Sequence, residues 1–434
     1  MLRGASLPLT RHPKAGSTAG MRNRWLIAAM GTVLMLCLGT VYAWSYFQAL
    51  LVAKDSGYGW NNSQVAWIFA IAIFCLGVSA ALAGPRLQKV GPRRMATLGS
   101  VAFSLGYAVA GLALGVRSLA LLYLGYGLLG GVGLGLGYVT PVATVARWFS
   151  DRKGLATGMV IMGFGLGALF MSKILAPVLL GLFAGALSPV FFSLAGIFFV
   201  LTLVPAWFMV NPPAAASTTP ATAAPAAELT PRQAILSGRF ALMWLVFFCN
   251  ITAGIAIISF QSPLLQDLRR ALDPSLAPSV LAASGATLIA VSSLFNGAGR
   301  FLWGTVSDRI GRSWTFRLML ASEIGVFVGP MLTKSPWLFA VLVCWVLLCY
   351  GGGFGTMPAF IGDVFGPHRM AAVYGAVLTA WGVAGVVGPQ AVAMLKDRVG
   401  DRAAPLSFAF GAGLLGLGFL LSLALSDRPA EKKA

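Results

Sequence analysis

Twelve apolar runs, each about 20 residues or longer and each stopped by a short charged or Pro/Gly-bearing segment, organise the chain. At 1.5 Å of rise per residue such a run matches the hydrocarbon thickness of a bilayer, so every one predicts a transmembrane helix. They cover approximately residues 24–50, 63–84, 95–114, 118–145, 155–180, 188–210, 240–264, 279–303, 314–332, 336–361, 371–395 and 405–425. Residues 211–227 interrupt the pattern. They are almost wholly Pro, Ala, Ser and Thr, a composition that reads as a flexible linker. The predicted division is a tail over 1–23, a six-helix half over 24–210, a linker over 211–238, a second half over 239–425 and a tail over 426–434. The fold class that follows is an all-α membrane protein, with twelve transmembrane helices in two pseudo-symmetric six-helix halves.

Composition excludes the soluble alternatives. Hydrophobic residues make up 58% of the 434 and charged ones 10%, too little polar surface to cover this apolar mass in water. A cytosolic enzyme, a disordered chain and a coiled coil are ruled out together. The net charge of +19 would suit nucleic acid, but its placement points elsewhere. Basic residues concentrate on the N-terminal side of the membrane, around Arg3–Arg24, Arg86–Arg94, Arg147–Lys153 and Arg309–Arg317. By the positive-inside rule both termini are expected in the cytoplasm, and the charge is topology rather than a nucleic-acid footprint. The first run is much longer than the core of a signal peptide and predicts an uncleaved helix.

Motif chemistry is sparse. Cys37, Cys75, Cys249, Cys344 and Cys349 all fall inside apolar runs, where they read as packing residues, and no disulfide, metal or cofactor framework follows. Gly125-Tyr126-Gly127-Leu128-Leu129-Gly130 has the spacing of a dinucleotide fingerprint, but no βαβ unit surrounds it, and small-residue helix packing explains it. P-loop, zinc-protease and nucleophile-elbow patterns are lacking, and His12 and His368 lie outside the spans. No enzyme is expected.

Arg300 carries the functional argument. It stands inside span eight, where a guanidinium costs roughly 2.5–3.5 kcal/mol on insertion scales and cannot escape by losing its proton. Asn296, one turn earlier on the same face, can hydrogen-bond to it but not neutralise it. Two readings fit: an anchor for a substrate carboxylate, which the planar fork grips with two bonds, or a strut bonded to backbone carbonyls. Asn250 is the amide in the middle of span seven, either cavity-lining or packed. Lys173, far along span five, is placed to snorkel to the opposite interface, and Glu323 lies about two turns into span nine.

An internal repeat supports the two halves. Gly84-Pro85-Arg86-Leu87-Gln88-Lys89-Val90-Gly91 and Gly304-Thr305-Val306-Ser307-Asp308-Arg309-Ile310-Gly311-Arg312 occupy equivalent positions between spans two and three and spans eight and nine. The second copy resembles the cytoplasmic loop motif G-x-x-x-D-R-x-G-R of the major facilitator superfamily, while the first has Gln88 where the family has Asp. Arg147-Trp148-Phe149-Ser150-Asp151-Arg152-Lys153-Gly154, the following Gly163-Phe164-Gly165-Leu166-Gly167, and Phe295-Asn296-Gly297-Ala298-Gly299-Arg300 are similar to the monocarboxylate porter and oxalate:formate antiporter branch. The resemblance implies alternating access around one central site and a gating role for Asp308, Arg309 and Arg312. It also implies cavity-lining aromatics at Tyr42, Tyr138, Tyr350 and Phe354, the last two on one helical face. Along span eleven it sets Trp381 where the antiporters carry a lysine opposite the arginine, and it sets Asn296 where proton-linked carriers have Asp.

The expectation is a secondary transporter in the cell membrane, acting as a monomer and moving a small monocarboxylate such as lactate or pyruvate together with a proton. The alternatives are an antiporter exchanging oxalate or another dicarboxylate for a monocarboxylate, and a non-transporting receptor. The partners expected are a small carboxylate, a proton and the lipid bilayer, with no nucleic acid.

Overall fold

The computed structural model describes residues 23–53, 56–149, 153–212, 230–329, 335–366, 369–399 and 403–429. The tail through Arg22, linker residues 213–229, the motif residues Asp151 and Arg152, both histidines and residues 430–434 lie outside them. The described chain is helical throughout, in twelve rods: α1 (Arg24–Leu51), α2 (Asn62–Val90), α3 (Pro92–Gly115), α4 (Leu119–Trp148), α5 (Leu155–Leu182), α6 (Leu187–Phe208), α7 (Gly238–Leu272), α8 (Pro278–Ile310), α9 (Arg312–Val328), α10 (Pro336–Phe365), α11 (Met370–Lys396) and α12 (Pro405–Ser422). Eleven are long and apolar enough to cross a membrane, and the other, α9, has 17 described residues.

Local signals set the ends. Asn61 caps α2 by accepting from the Gln64 amide at 2.8 Å while the Gln64 side chain accepts from the Asn61 amide at 3.0 Å. The repeated glycines Gly91 and Gly311 each join two helices with φ of +86° and +90°, a backbone that any side chain would strain. Three rods are not uniform. α1 tightens to 3₁₀ over Gly39–Ala43, and α4 and α5 widen to π-helix over Tyr123–Gly130 and Met171–Leu175. Inside the predicted linker Pro231–Ile235 makes one helical turn, and Asn211 accepts from Arg147 Nη1 at 3.0 Å, tying the start of the segment to α4.

Packing follows a twofold pattern in which α1–α6 repeat as α7–α12. α2 packs on α4 as α8 packs on α10, α3 on α6 as α9 on α12, and α1 on α5 as α7 on α11. The halves meet along two seams, α2 against α11 and α5 against α8, which the same repeat interchanges. Glycine permits both seams. A methyl on Gly165 would lie 2.7 Å from Gly297 Cα, and one on Gly77 would lie 2.7 Å from the Leu378 carbonyl and 3.0 Å from Gly382 Cα. Backbones this close are how membrane helices associate without a hydrophobic drive between them. Outward-facing Leu82, Leu98, Leu105, Val178, Leu182 and Trp207 stay exposed, an apolar belt suited to lipid.

Candidate functional site

Arg300 lies at the junction of the halves and is fully buried. The glycines of α10 bring it there. A methyl on Gly351 would lie 2.9 Å from Asn296 Oδ1, and one on Gly355 would collide with the Arg300 carbonyl, so α8 and α10 touch backbone to backbone and aim both polar side chains inward. Arg300 Nε donates to Asn296 Oδ1 at 3.3 Å and Nη1 donates to the Tyr138 hydroxyl at 3.4 Å, both long for charge-assisted bonds. Nη2 is buried without a hydrogen-bond partner. Side chains, not backbone carbonyls, are the recorded partners of the guanidinium among the described residues.

Aromatic rings enclose the charge. The guanidinium sits over Phe354 at 4.8 Å and Phe164 at 5.5 Å from the ring centres. Trp381 closes the opposite wall, 4.7 Å from Phe354, 5.3 Å from Tyr138, 5.5 Å from Phe164 and 6.0 Å from Tyr42. Two tyrosine pairs bridge the halves: Tyr42 and Tyr350 share a hydrogen bond at 2.6 Å, and Tyr138 and Tyr374 approach to 3.5 Å. These side chains are at most 2% exposed, so the site is closed on both sides of the membrane.

Of the side chains singled out from the sequence, Arg300, Asn296, Tyr42, Tyr138, Tyr350, Phe354 and Trp381 come together here. Phe164, which the sequence places only within a family motif, and Tyr374 join them. Asn250 does not join them. Its position on α7 turns it towards α9, where Nδ2 donates to Glu323 Oε2 at 2.9 Å. Lys173 is exposed, its ammonium donating to Thr287 Oγ1 at 2.9 Å on the α5–α8 seam. It therefore faces an interface, not the guanidinium.

The motif residues form a second cluster at the α8–α9 turn. Arg312 pairs with Asp308 at 2.6 Å and with Asp363 of α10 at 3.0 Å, and also donates to the Ser307 hydroxyl. Asp427, beyond α12, accepts from the Ser313 amide at 2.9 Å and its hydroxyl at 2.7 Å. Four helix ends are thus tied together. Arg309 is exposed, as is Gln88 in the first copy. Asp363 and Asp427 were not legible as partners, because nothing in the sequence marks which helix ends meet.

Residues 22–389 match the Major Facilitator Superfamily. The chain is 25% identical over 381 residues to the oxalate:formate antiporter of Oxalobacter formigenes, covering 87% of this chain and 86% of that protein. It is also 25% identical over 449 residues to apicoplast pyruvate carrier 1 of Toxoplasma gondii, covering 82% and 81%. A solved structure of the Escherichia coli fucose:proton symporter FucP superposes with a TM-score of 0.64 at 12% identity, over 93% of this chain and 99% of the other, a likeness of fold alone. With a match across most of its length and twelve helices in the repeated arrangement described, the chain belongs to the Major Facilitator Superfamily and is a multi-pass secondary transporter, not an enzyme.

Proposed function

We propose that this transporter moves a small monocarboxylate of the lactate or pyruvate kind, with the carboxylate held on Arg300. The observation that carries the reading is a fully buried guanidinium with no anionic partner among the described residues and an unused Nη2. An arginine in a low-dielectric site needs an anion, and a carboxylate docking edge-on takes two of its donors at once. The names of the two relatives support a small carboxylate as substrate, since one is an oxalate:formate antiporter and the other a pyruvate carrier. The carbon end of the substrate then lies against Trp381, Phe354 and Tyr350.

Alternating access follows from the two seams. The halves over 24–210 and 239–425 rock about the contacts between α2 and α11 and between α5 and α8, presenting Arg300 to each side in turn. In this reading Asp308, Arg309 and Arg312, with Asp363, belong to the gate on the side of the termini; the excess of basic residues in the loops of that side favours the cytoplasmic face of the cell membrane, and the transporter acts as a monomer.

Transport is proton-coupled in this reading. A lone anion entering a cell works against a negative-inside potential worth about 2.3 kcal/mol per charge per 100 mV, whereas an anion with its proton crosses without charge. The test is uptake of labelled pyruvate and lactate into proteoliposomes. Uptake that rises with an imposed inward proton gradient, is lost in Arg300→Ala and is little restored in Arg300→Lys is the expected outcome. Normal uptake by Arg300→Ala would end the anchor reading. Uptake indifferent to the gradient but stimulated by internal anion would assign exchange instead.

A further inference from the structure

Glu323 is a second buried ionisable group that the carboxylate site does not use. It is fully buried on α9, its Oε2 accepts from Asn250 Nδ2 at 2.9 Å, and its Oε1 has no hydrogen-bond partner. No cation pairs with it among the described residues. The titratable neighbour is the Cys349 thiol of α10, which also contacts the Ser322 hydroxyl, while α8 and α12 present no charged side chain to it. An ionised carboxylate in such a place lacks a counter-charge, a far larger cost than the single unpartnered hydroxyl that the neutral acid carries at Oε1.

Asn250 connects this group to the substrate site in two ways. Its Oδ1 lies so close to Gly353 of α10 that a methyl there would collide with it, and the next residue, Phe354, lies under the Arg300 guanidinium. Phe247, about one turn before Asn250 on α7, meets Phe354 edge-on at 5.1 Å. A shift of α10 that admits water to Glu323 therefore carries with it the ring beneath Arg300, and a shift of α7 changes what packs against that ring.

We infer that Glu323 is a proton-binding site of this transporter, positioned by Asn250 and linked to the Arg300 site through Gly353 and Phe354 of α10. The step is a simple transfer. When water reaches the carboxylate, hydronium gives it one proton and leaves as water, and in the opposite phase the acid returns that proton to water with no other bond changed. The part played in coupling rests on the carboxylate reading of Arg300, but proton binding itself does not.

Two measurements separate these. Infrared difference spectra of the purified protein, titrated from acid to alkaline pH without substrate, should show a buried carboxylic-acid carbonyl band that Glu323→Gln abolishes, Glu323→Asp retains and Asn250→Ala displaces in its midpoint. In proteoliposomes, Glu323→Gln should lose the stimulation of pyruvate uptake by a proton gradient while keeping exchange of internal for external pyruvate. A band that survives in Glu323→Gln would overturn the site. A variant whose uptake still follows the gradient as the parent's does would overturn its link to transport. If neither protein carries pyruvate, the infrared titration still decides on the proton.

Discussion

Oxalate in place of pyruvate asks the Arg300 site for a second cation. Lys173, the basic side chain far along α5, is hydrogen-bonded to Thr287, which lies on the same continuous helix as Arg300. At 1.5 Å per residue the two positions on α8 are about 20 Å apart. With an effective dielectric of about 20, a charge at 4 Å contributes about 4 kcal/mol and one at 20 Å about 0.8 kcal/mol. Lys173 is thus too far to serve as partner, and oxalate, unlike lactate, buries a second charge uncompensated, at a cost of about 3–5 kcal/mol or on the order of a hundredfold or more in affinity. Trp381, which by resemblance stands where the antiporters carry a lysine, is an indole in ring contact with Phe354, Tyr138 and Phe164. Unlabelled oxalate should therefore compete with labelled pyruvate for uptake only at about a hundredfold higher concentration than unlabelled lactate. Trp381→Lys, which sets an ammonium opposite the arginine, should narrow that gap, by less than the full factor because a buried lysine is itself costly. Oxalate competing at the same concentration as lactate in the unmodified protein would refute the one-cation reasoning.

Three further perturbations address the closed state. Gly165→Ala puts a methyl 2.7 Å from Gly297 Cα and forces α5 from α8; overpacking of about 1–3 kcal/mol should depopulate the closed form roughly 5- to 150-fold, read from label distances between the halves. An unchanged distance distribution would show that the seam is not part of closure. Tyr350→Phe removes the hydrogen bond to Tyr42 and should favour opening by about 0.5–1.5 kcal/mol in the same measurement. Arg312→Ala breaks the pairs to Asp308 and Asp363, whose carboxylates are half-exposed, so that each pair contributes only about 0–1 kcal/mol to stability. Its melting temperature should stay close to the parent's while initial uptake falls severalfold, and undiminished uptake would remove the gate.

Much of this architecture is written in the hydrophobic pattern, because a bilayer demands long apolar runs and self-contained helical hydrogen bonding. The repeated Gly91 and Gly311 marked the halves for an equally physical reason, since both positions need a positive φ. Arg300 stood out because a charge in a span is costly wherever it points. Rotation was harder to read. Asn250 and Arg300 are both polar residues in mid-helix, yet one faces α9 and the other the midline, and sequence spacing on one helix does not say which neighbour it meets. Nothing in the sequence assigns Phe164 and Tyr374 to the site, because an aromatic that lines a site and one that packs against lipid look alike within an apolar run. The non-α stretches of α1, α4 and α5 have no separate mark in the hydrophobic pattern, which runs through them unbroken.

Equilibrium binding tests the central assignment without the complications of a transport cycle. Labelled pyruvate is titrated onto the purified protein, onto Arg300→Ala and onto Arg300→Lys, with thermal unfolding of each as a check that the fold survives. Loss of an anion held by two charge-assisted bonds, each contributing about 1.5–3 kcal/mol, should weaken binding by two orders of magnitude or more in Arg300→Ala, with Arg300→Lys recovering only a fraction. Pyruvate bound equally well by a folded Arg300→Ala protein would contradict the claim that this guanidinium holds the substrate.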